Sequence, residues 1–203
     1  MKIILASSSE NRKALFDRLK VDFEVRKPSF EEKINFESPP KNQVTLFSLE
    51  KAKSVYPEFE NNPNVCILGF DSMVEFEGQS IGKPKTKKEA FQMLQSFVGK
   101  KQKIVSGLSI VGNFKGKYFE KSDVESTEIF FRSDLTNCQI RQYLKFNDFS
   151  GKCGAYSILG TGIFLLEKIN GDFQNIIGVP VLKMGEMIRE VTKKNPVWIF
   201  SPK

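Results

Sequence analysis

The start of the chain constrains the fold most, because a short apolar segment runs through a serine-rich loop into an amphipathic segment. Lys2–Ala6 is predicted to be a strand and residues 10–19 a helix. The connecting loop, Ser7-Ser8-Ser9, precedes the first N–H groups of that helix, which are unpaired and lie at the positive end of its dipole. Arg12 adds a forked cation. The unit predicts an α/β fold with an anion site, while Ser9 alone is also interpretable as a simple N-cap.

The rest of the chain continues this alternation of strands and helices. Further strands are predicted at residues 23–26, 65–74, 80–82, 103–111, 117–131 and 157–169, the last broken at Gly160 and Gly162. Further helices are predicted at residues 42–55, 87–98, 137–146 and 181–193. Tight turns between neighbouring strands argue against an all-parallel sheet. We therefore expect one α/β unit with a mixed sheet and flanking helices, and we expect the apolar tail, residues 196–200, to dock on the core or on a partner.

Length and charge limit the function classes. A chain of 203 residues can bury a real core as one domain or two closely joined lobes. No apolar stretch approaches the length that spans a membrane, and the apolar start is too short for a signal peptide, so we expect a cytoplasmic protein. The net charge of +7 suits anionic ligands. The lysines are scattered and no aromatic residues interleave with them, so the sequence gives no support for a nucleic-acid partner.

The chain has no histidine. This excludes histidine-based triads, histidine metal sites and imidazole proton shuttles, so a general base must be a carboxylate, a lysine or a bound water. Three cysteines, Cys66, Cys138 and Cys153, lack the paired spacing of a zinc site or a redox motif. We expect them to be buried, reduced thiols.

Asp71 is the most distinctive single residue. It follows the apolar run Val65-Cys66-Ile67-Leu68 and a glycine, which predicts that it lies at the end of a buried strand. A carboxylate at such a position is costly unless it is paired or bound to metal. A structural ion pair with lysine or arginine is the alternative, but ligands of α/β proteins bind at strand ends, which favours a functional role.

Four more charged residues are informative as a set. Lys83 lies between a glycine and a proline in a loop, Lys51 lies on a predicted helix, and Glu31 and Glu32 lie in a loop. Taken singly, each is equally or better interpreted as a solvated surface charge. As a set, Arg12, Lys51 and Lys83 can neutralise a triphosphate, while Asp71 and one glutamate can hold Mg²⁺ through oxygen.

The order of these segments resembles the Maf family of septum-formation proteins, which are nucleoside triphosphate pyrophosphatases. The family's opening loop, Leu-Ala-Ser-x-Ser-Pro-Arg-Arg, is similar to residues 5–12. Its Asp-Glu, Glu-Lys-Ala, Gly-x-Asp-Thr and Gly-Lys-Pro motifs resemble Glu31-Glu32 and residues 50–52, 69–72 and 82–84. Two later motifs resemble residues 152–160 and 169–180. An ordered match along most of the chain is far more specific than any single motif.

The resemblance implies an elongated α/β sheet with two lobes around a nucleotide cleft, residues 1–203 forming a single Maf-like domain, and a homodimer. It implies hydrolysis of a nucleoside triphosphate to a monophosphate and pyrophosphate with Mg²⁺ or Mn²⁺. Ser7, Arg12, Lys51 and Lys83 would bind the phosphates. Asp71 and Glu32 would bind the metal and, with Lys83, carry the catalysis. Whether Asp71 is the general base or only a metal ligand stays open, and a non-catalytic nucleotide-binding regulator of cell division is the alternative function.

Four departures from the family pattern bear on the substrate. Glu10 and Asn11 replace a proline and an arginine in the opening loop, Gln102 replaces a histidine, and Leu159 replaces a glutamine. Asn11 and Leu159 fall where subfamilies differ in base preference, so we assign them to nucleobase specificity.

We predict that unmodified pyrimidine triphosphates are not strongly preferred, because a site without the arginine and the glutamine cannot penalise a wrong base by leaving those groups unpaired. Modified or purine triphosphates should compete well in a pyrophosphate-release screen. The double variant Asn11→Arg with Leu159→Gln should shift preference toward dTTP or UTP. A large margin for dTTP and UTP in the unaltered protein would contradict this interpretation of the two positions.

Overall fold

The strands form one sheet. It is mixed because crossovers join its first strands, which are parallel, and because hairpins occur among its later strands, which are antiparallel. The computed structural model describes residues 1–35, 38–147 and 149–197. Within these residues the strands are β1 (Lys2–Ala6), β2 (Glu24–Arg26), β3 (Asn64–Phe76), β4 (Gln79–Ile81), β5 (Lys101–Phe114), β6 (Lys117–Phe131) and β7 (Leu166–Asn170). Their order is β2-β1-β3-β5-β6-β7, with β4 paired to β3. β1 is parallel to both β2 and β3, and the remaining pairs are antiparallel.

Helices flank this sheet, and several of them begin directly after a residue whose side chain caps them. Ser9 caps the first, Thr86 caps the third, and Thr136 forms a full capping box with Gln139 at the fourth. The helices are α1 (Glu10–Arg18), α2 (Pro40–Val55), α3 (Lys87–Phe97), α4 (Asn137–Tyr143), α5 (Phe173–Ile176) and α6 (Val181–Thr192). In the described part of the chain, every helix is too short or too polar to span a bilayer.

The predicted α/β class and mixed sheet are confirmed, with three local corrections. Residues 157–169 were predicted to be largely strand, but glycine turns and 3₁₀ segments occupy most of them and β7 begins only at Leu166. The short helix α5 was missed. Cys66 is buried as predicted, whereas Cys138 is exposed and Cys153 is half-buried. Residues 198–200 of the predicted apolar tail lie outside the described residues.

The structure places Asp71 inside β3, whereas the apolar run before it predicted a strand end. β1 pairs with β3 only as far as Gly69, and β4 pairs with the same strand from Val74 onward. Within the part of the chain that the structure describes, residues 70–73 therefore have no strand partner on that edge, although β5 continues to pair with them on the other. Asp71 thus lies within a strand, at a gap in the sheet edge, and not at a strand end.

Two of the buried apolar clusters lie on either side of this gap. Phe16 and Phe70 belong to one, which also packs α6 against β1 and β3. Val74 and Phe97 belong to the other, which packs α3 and α4 against the far part of the sheet. Residues 71–73 connect the two clusters, so polar side chains in this stretch lie between two rigid cores.

Two glycines allow α2 to approach the sheet beside the gap. A Cβ added to Gly69 would lie 2.0 Å from the carbonyl oxygen of Ser48, and one added to Gly107 would lie 2.0 Å from that of Val44. Gly107 is the register partner of Asp71 on β5. Since real Cβ atoms do not approach a carbonyl so closely, only glycine at these positions lets α2 carry Lys51 down to the level of Asp71.

Gly107→Ala should destabilise the protein by about 1–3 kcal/mol or more, since overpacking at a rigid helix–sheet contact forces the backbones apart. For a chain of this length each kcal/mol corresponds to a fall in Tm of roughly 2–4 °C. Thermal unfolding measures the effect, and Gly82→Ala is the control because a Cβ there meets nothing within 4 Å. Equal Tm values for the two variants would contradict the close-approach argument.

Candidate functional site

The gap in the β3 edge gathers the charged residues that sequence analysis selected. The serine loop after β1 faces it from one side, Lys51 reaches it from α2, and the loop after β4 brings Lys83. Three cavities meet there, and the side chain of Lys83 lines all of them. The structure therefore brings together residues that are more than seventy positions apart in sequence, from Ser7 to Lys83.

Lys51 is the centre of a buried charge cluster. Its Nζ donates to Asp71 Oδ1 at 2.6 Å and to the carbonyl oxygen of Phe70 at 3.3 Å, and it forms an ion pair with Glu32 Oε1. The side chains of Lys51 and Asp71 are only 8% and 7% exposed, whereas that of Glu32 is 42% exposed. The cluster thus opens toward solvent on the Glu32 side and is closed on the side of the sheet.

Burial raises the pKa of Asp71, because desolvation disfavours its carboxylate, and the neighbouring charge of Glu32 acts in the same direction. The ammonium of Lys51 and the guanidinium of Arg12 oppose this rise in the pKa. An ionised Asp71 therefore depends on the cations around it, which makes the cluster sensitive to the removal of either cation.

Arg12 is tied to the protein at the same gap. Its Nε donates to the carbonyl oxygen of Gly178 at 3.1 Å, Nη1 to that of Phe70 at 2.9 Å, and Nη2 to Ser72 Oγ at 3.3 Å. Burial of the guanidinium lowers its pKa, while Asp71 raises it. Three of the five N–H groups of an arginine are thus used to join β3 to the loop before α6. Contact between Arg12 and a phosphate stays a prediction.

One of the three cavities is polar and measures about 400 Å³. Its lining includes the four residues predicted to bind phosphate, Ser7, Arg12, Lys51 and Lys83, and it also includes Ser8, Ser9 and Lys27. Ser7 Oγ accepts a hydrogen bond from the N–H of Ser9, and Ser9 Oγ caps α1 by accepting from the N–H of Arg12. Among the residues that the structure describes, no acceptor takes the hydroxyl hydrogen of Ser7, which can therefore donate to an anion in this cavity.

A second cavity, of about 390 Å³, lies on the other side of Lys83 and is more apolar. Asn11 and Leu159, which were assigned to base specificity, both line it. Aliphatic side chains make up much of its wall, including Met73, Val74, Ile104, Ile158, Ile176 and Ile177, and Tyr156 adds an aromatic ring. The polar groups of this cavity include the Asn11 amide, the Lys152 ammonium, and the hydroxyls of Ser9, Ser72 and Ser157.

Lys83 joins these cavities and is the least constrained cation of the site. It is exposed, and no ion-pair or hydrogen-bond partner of its ammonium is found among residues 1–35, 38–147 and 149–197. A third cavity, of about 400 Å³, places it beside Glu32 and Asp71. Its three N–H groups are therefore available to an anion that spans the cavities.

The donor set suits a hard divalent ion. Glu32 and Asp71 supply carboxylate oxygens at one point, although no group of three or more acidic, cysteine or histidine side chains that could hold a metal occurs in the described residues. Mg²⁺ usually binds proteins through only one or two carboxylates and completes its shell with water and substrate phosphates. The pair therefore fits an ion that enters with a phosphorylated ligand.

Several contacts at the site were not found from the sequence. The carbonyl oxygen of Phe70 accepts from both Arg12 and Lys51, and Ser72 Oγ is 2.8 Å from Ser106 Oγ. Behind Tyr156, the buried Gln102 accepts from the tyrosine hydroxyl at 3.4 Å. The Gly-x-Asp-Ser motif could have pointed to Ser72, but no local signal identifies a backbone carbonyl freed by a missing strand partner.

Comparison with known proteins matches this chain to one family and to relatives that carry the same name. Residues 2–191 match the family model described as Maf-like protein. A dTTP/UTP pyrophosphatase of Clostridium botulinum (strain Okra / Type B1) is 36% identical over 190 residues, which cover 93% of this chain and 96% of that protein. A dTTP/UTP pyrophosphatase of Thermoanaerobacter sp. (strain X514) is 35% identical over 189 residues with the same coverage. The Staphylococcus aureus Ham1 structure aligns at 13% identity and a TM-score of 0.41, covering 66% of this chain and 73% of that chain.

Arg12→Ala should lower the free energy of unfolding by about 1.5–3 kcal/mol, since it removes charge-assisted hydrogen bonds to buried acceptors. Arg18→Ala is the matched control, because Arg18 lies on the same helix and is exposed, and it should change stability by no more than about 0.5 kcal/mol. Urea unfolding of both variants tests the difference. If Arg12→Ala unfolded at the same urea concentration as Arg18→Ala, the tie between β3 and the loop before α6 would not contribute to stability.

Proposed function

The chain belongs to the Maf-like protein family, and we propose that it is a nucleoside triphosphate pyrophosphatase that releases a nucleoside monophosphate and pyrophosphate. One observation carries the proposal: a polar, cation-lined cavity and a more apolar cavity meet at Lys83, next to the paired carboxylates of Glu32 and Asp71. This arrangement matches a ligand with a triphosphate at one end and a base at the other. The names of the relatives support the same reaction.

The base is proposed to occupy the more apolar cavity beside Asn11 and Leu159. The triphosphate then extends past Lys83 into the polar cavity, where Ser7, Arg12 and Lys51 lie. Charge neutralisation and positioning supply most of the catalysis in reactions of phosphate anhydrides. The relatives are named for dTTP and UTP, whereas Asn11 and Leu159, in place of an arginine and a glutamine, favour a less selective base site here.

The reaction is hydrolysis of the bond between the α and β phosphates. A water oxygen attacks the α phosphorus, the bridging oxygen leaves with the pyrophosphate, and the proton of the water is taken up by a base. In the structure Lys51 donates to Oδ1 of Asp71; in the reaction the Asp71 carboxylate would hold or deprotonate the water. Lys83 donates to the leaving phosphates. Glu32 and Asp71 would hold Mg²⁺ or Mn²⁺, which supplies neutralisation of phosphate charge and a lowered pKa of bound water.

The family membership extends the proposal beyond the site. We propose that residues 1–203 form a single Maf-like domain, that the protein acts in the cytoplasm, and that it assembles as a homodimer with a role in septum formation. The alternative function, a non-catalytic regulator, gains no support from a site in which Asp71, Glu32 and Lys51 are all in contact.

Asp71→Asn should lower kcat for pyrophosphate release at least 100-fold, equivalent to roughly 3 kcal/mol, because the amide keeps the shape but cannot bind metal or accept the proton. Pyrophosphate release from a panel of nucleoside triphosphates with Mg²⁺ or Mn²⁺ measures the effect, and chelation of the metal should abolish turnover in the unaltered protein. Asp22→Asn, at an exposed position, is the control. Normal turnover by a folded Asp71→Asn variant would make Asp71 a structural residue.

A further inference from the structure

Lys51 pairs with the carboxylates of Glu32 and Asp71, and it is also proposed to bind the triphosphate. Both roles need the N–H groups of its ammonium. A lysine ammonium has three N–H donors. Three oxygens surround the Nζ of Lys51: Asp71 Oδ1 at 2.6 Å, the carbonyl of Phe70 at 3.3 Å, and Glu32 Oε1 in an ion pair. Every donor therefore has an acceptor within the protein. While these contacts last, Lys51 has no N–H group left for a phosphate.

Two of the three oxygens belong to the carboxylates proposed to hold the divalent ion. Lys51 Nζ lies 2.6 Å from Asp71 Oδ1, and Mg²⁺ would need oxygens of the same two carboxylates at about 2.0–2.1 Å. An ammonium and a divalent ion on the same two carboxylates repel each other strongly in a buried site, where water screens charges poorly. The carboxylates of Glu32 and Asp71 therefore serve one cation at a time.

Lys51 has a place to go when it leaves the carboxylates. Its side chain lines the polar cavity together with Ser7, Arg12 and Lys83. The flexible four-carbon stem of a lysine allows the ammonium to move by rotation about side-chain bonds, without movement of the helix. A released ammonium would carry three free donors and one positive charge directly to the cavity proposed for the triphosphate.

We infer that Lys51 is an exchangeable cation: it holds Glu32 and Asp71 until a divalent ion binds them, and it then donates to the triphosphate. This inference rests on the proposed function and deepens it. Metal and nucleotide binding become coupled, since the ion frees the residue that the phosphates need. The protein should consequently bind a divalent ion weakly when no nucleotide is present.

Mn²⁺ binding without nucleotide tests the exchange, with the loss of the free Mn²⁺ signal in electron paramagnetic resonance as the readout. Lys51→Met should bind Mn²⁺ at least tenfold more tightly than the unaltered protein, because the competing ammonium is gone. Lys83→Met is the matched control: it removes the same charge beside the same carboxylates, but Lys83 has no ion pair with them in the described residues. Lys53→Met, on the same helix and paired with Glu120, controls for the helix.

The exchange is overturned if Lys51→Met binds Mn²⁺ no more tightly than the unaltered protein. It is equally overturned if Lys83→Met gains as much affinity as Lys51→Met, since the effect would then be one of general charge. If Lys51→Met does not fold alone, Mn²⁺ should restore its circular dichroism spectrum, because the ion replaces the missing cation between Glu32 and Asp71. Failure to fold at saturating Mn²⁺ would also contradict the inference.

Failure of the exchange and failure of the proposed function are separable. The exchange is read from Mn²⁺ binding alone, while the function is read from pyrophosphate release. Normal pyrophosphate release with unchanged Mn²⁺ affinity in Lys51→Met would remove the exchange and leave the function standing. Tighter Mn²⁺ binding in Lys51→Met, without pyrophosphate release by the unaltered protein, would support the exchange and remove the function.

Discussion

The ion pair between Lys51 and Asp71 is the interaction on which the site depends. It exists because the edge of β3 is unpaired over residues 70–73 and because Gly69 and Gly107 let α2 lie directly on the sheet. A buried charge pair contributes little net stability after its desolvation cost. Its value here is position, since it fixes a carboxylate and an ammonium side by side at the point where the cavities meet.

The gap in the sheet edge also organises the cations around the pair. A strand partner would have consumed the carbonyl of Phe70, whereas its absence leaves an acceptor that Arg12 and Lys51 share. The other two hydrogen bonds of Arg12 go to the carbonyl of Gly178, in the loop before α6, and to Ser72 Oγ on β3. Arg12 therefore holds that loop against the strand at the wall of the site. Lys83 differs from both, because no protein acceptor holds it within the described residues. The site thus combines two cations that protein oxygens hold in this structure with a third that is free to meet a ligand.

Local chemistry made part of this predictable. Thr86 and Thr136 are capping residues, so the sequence around them predicts where their helices begin. Asp71 is recognisable because it follows an apolar run. The strand register is not local, so the sequence could not reveal that the edge of β3 is open beside Asp71. The apolar pattern of residues 157–169 predicted a strand, and this prediction was wrong for most of them. The structure has turns there instead, such as that at Gly162.

The position of the hydrolysed bond is tested most directly by hydrolysis in ¹⁸O-labelled water, because the label identifies the phosphorus atom that the water attacks. A nucleotide cleft with its carboxylates beside the α phosphate predicts that the label enters the nucleoside monophosphate and that the pyrophosphate carries none. Mass spectrometry of the two products after one turnover distinguishes the outcomes. Label in the pyrophosphate, or release of labelled orthophosphate, would place the attack at another phosphorus and would contradict a cleft with its carboxylates beside the α phosphate.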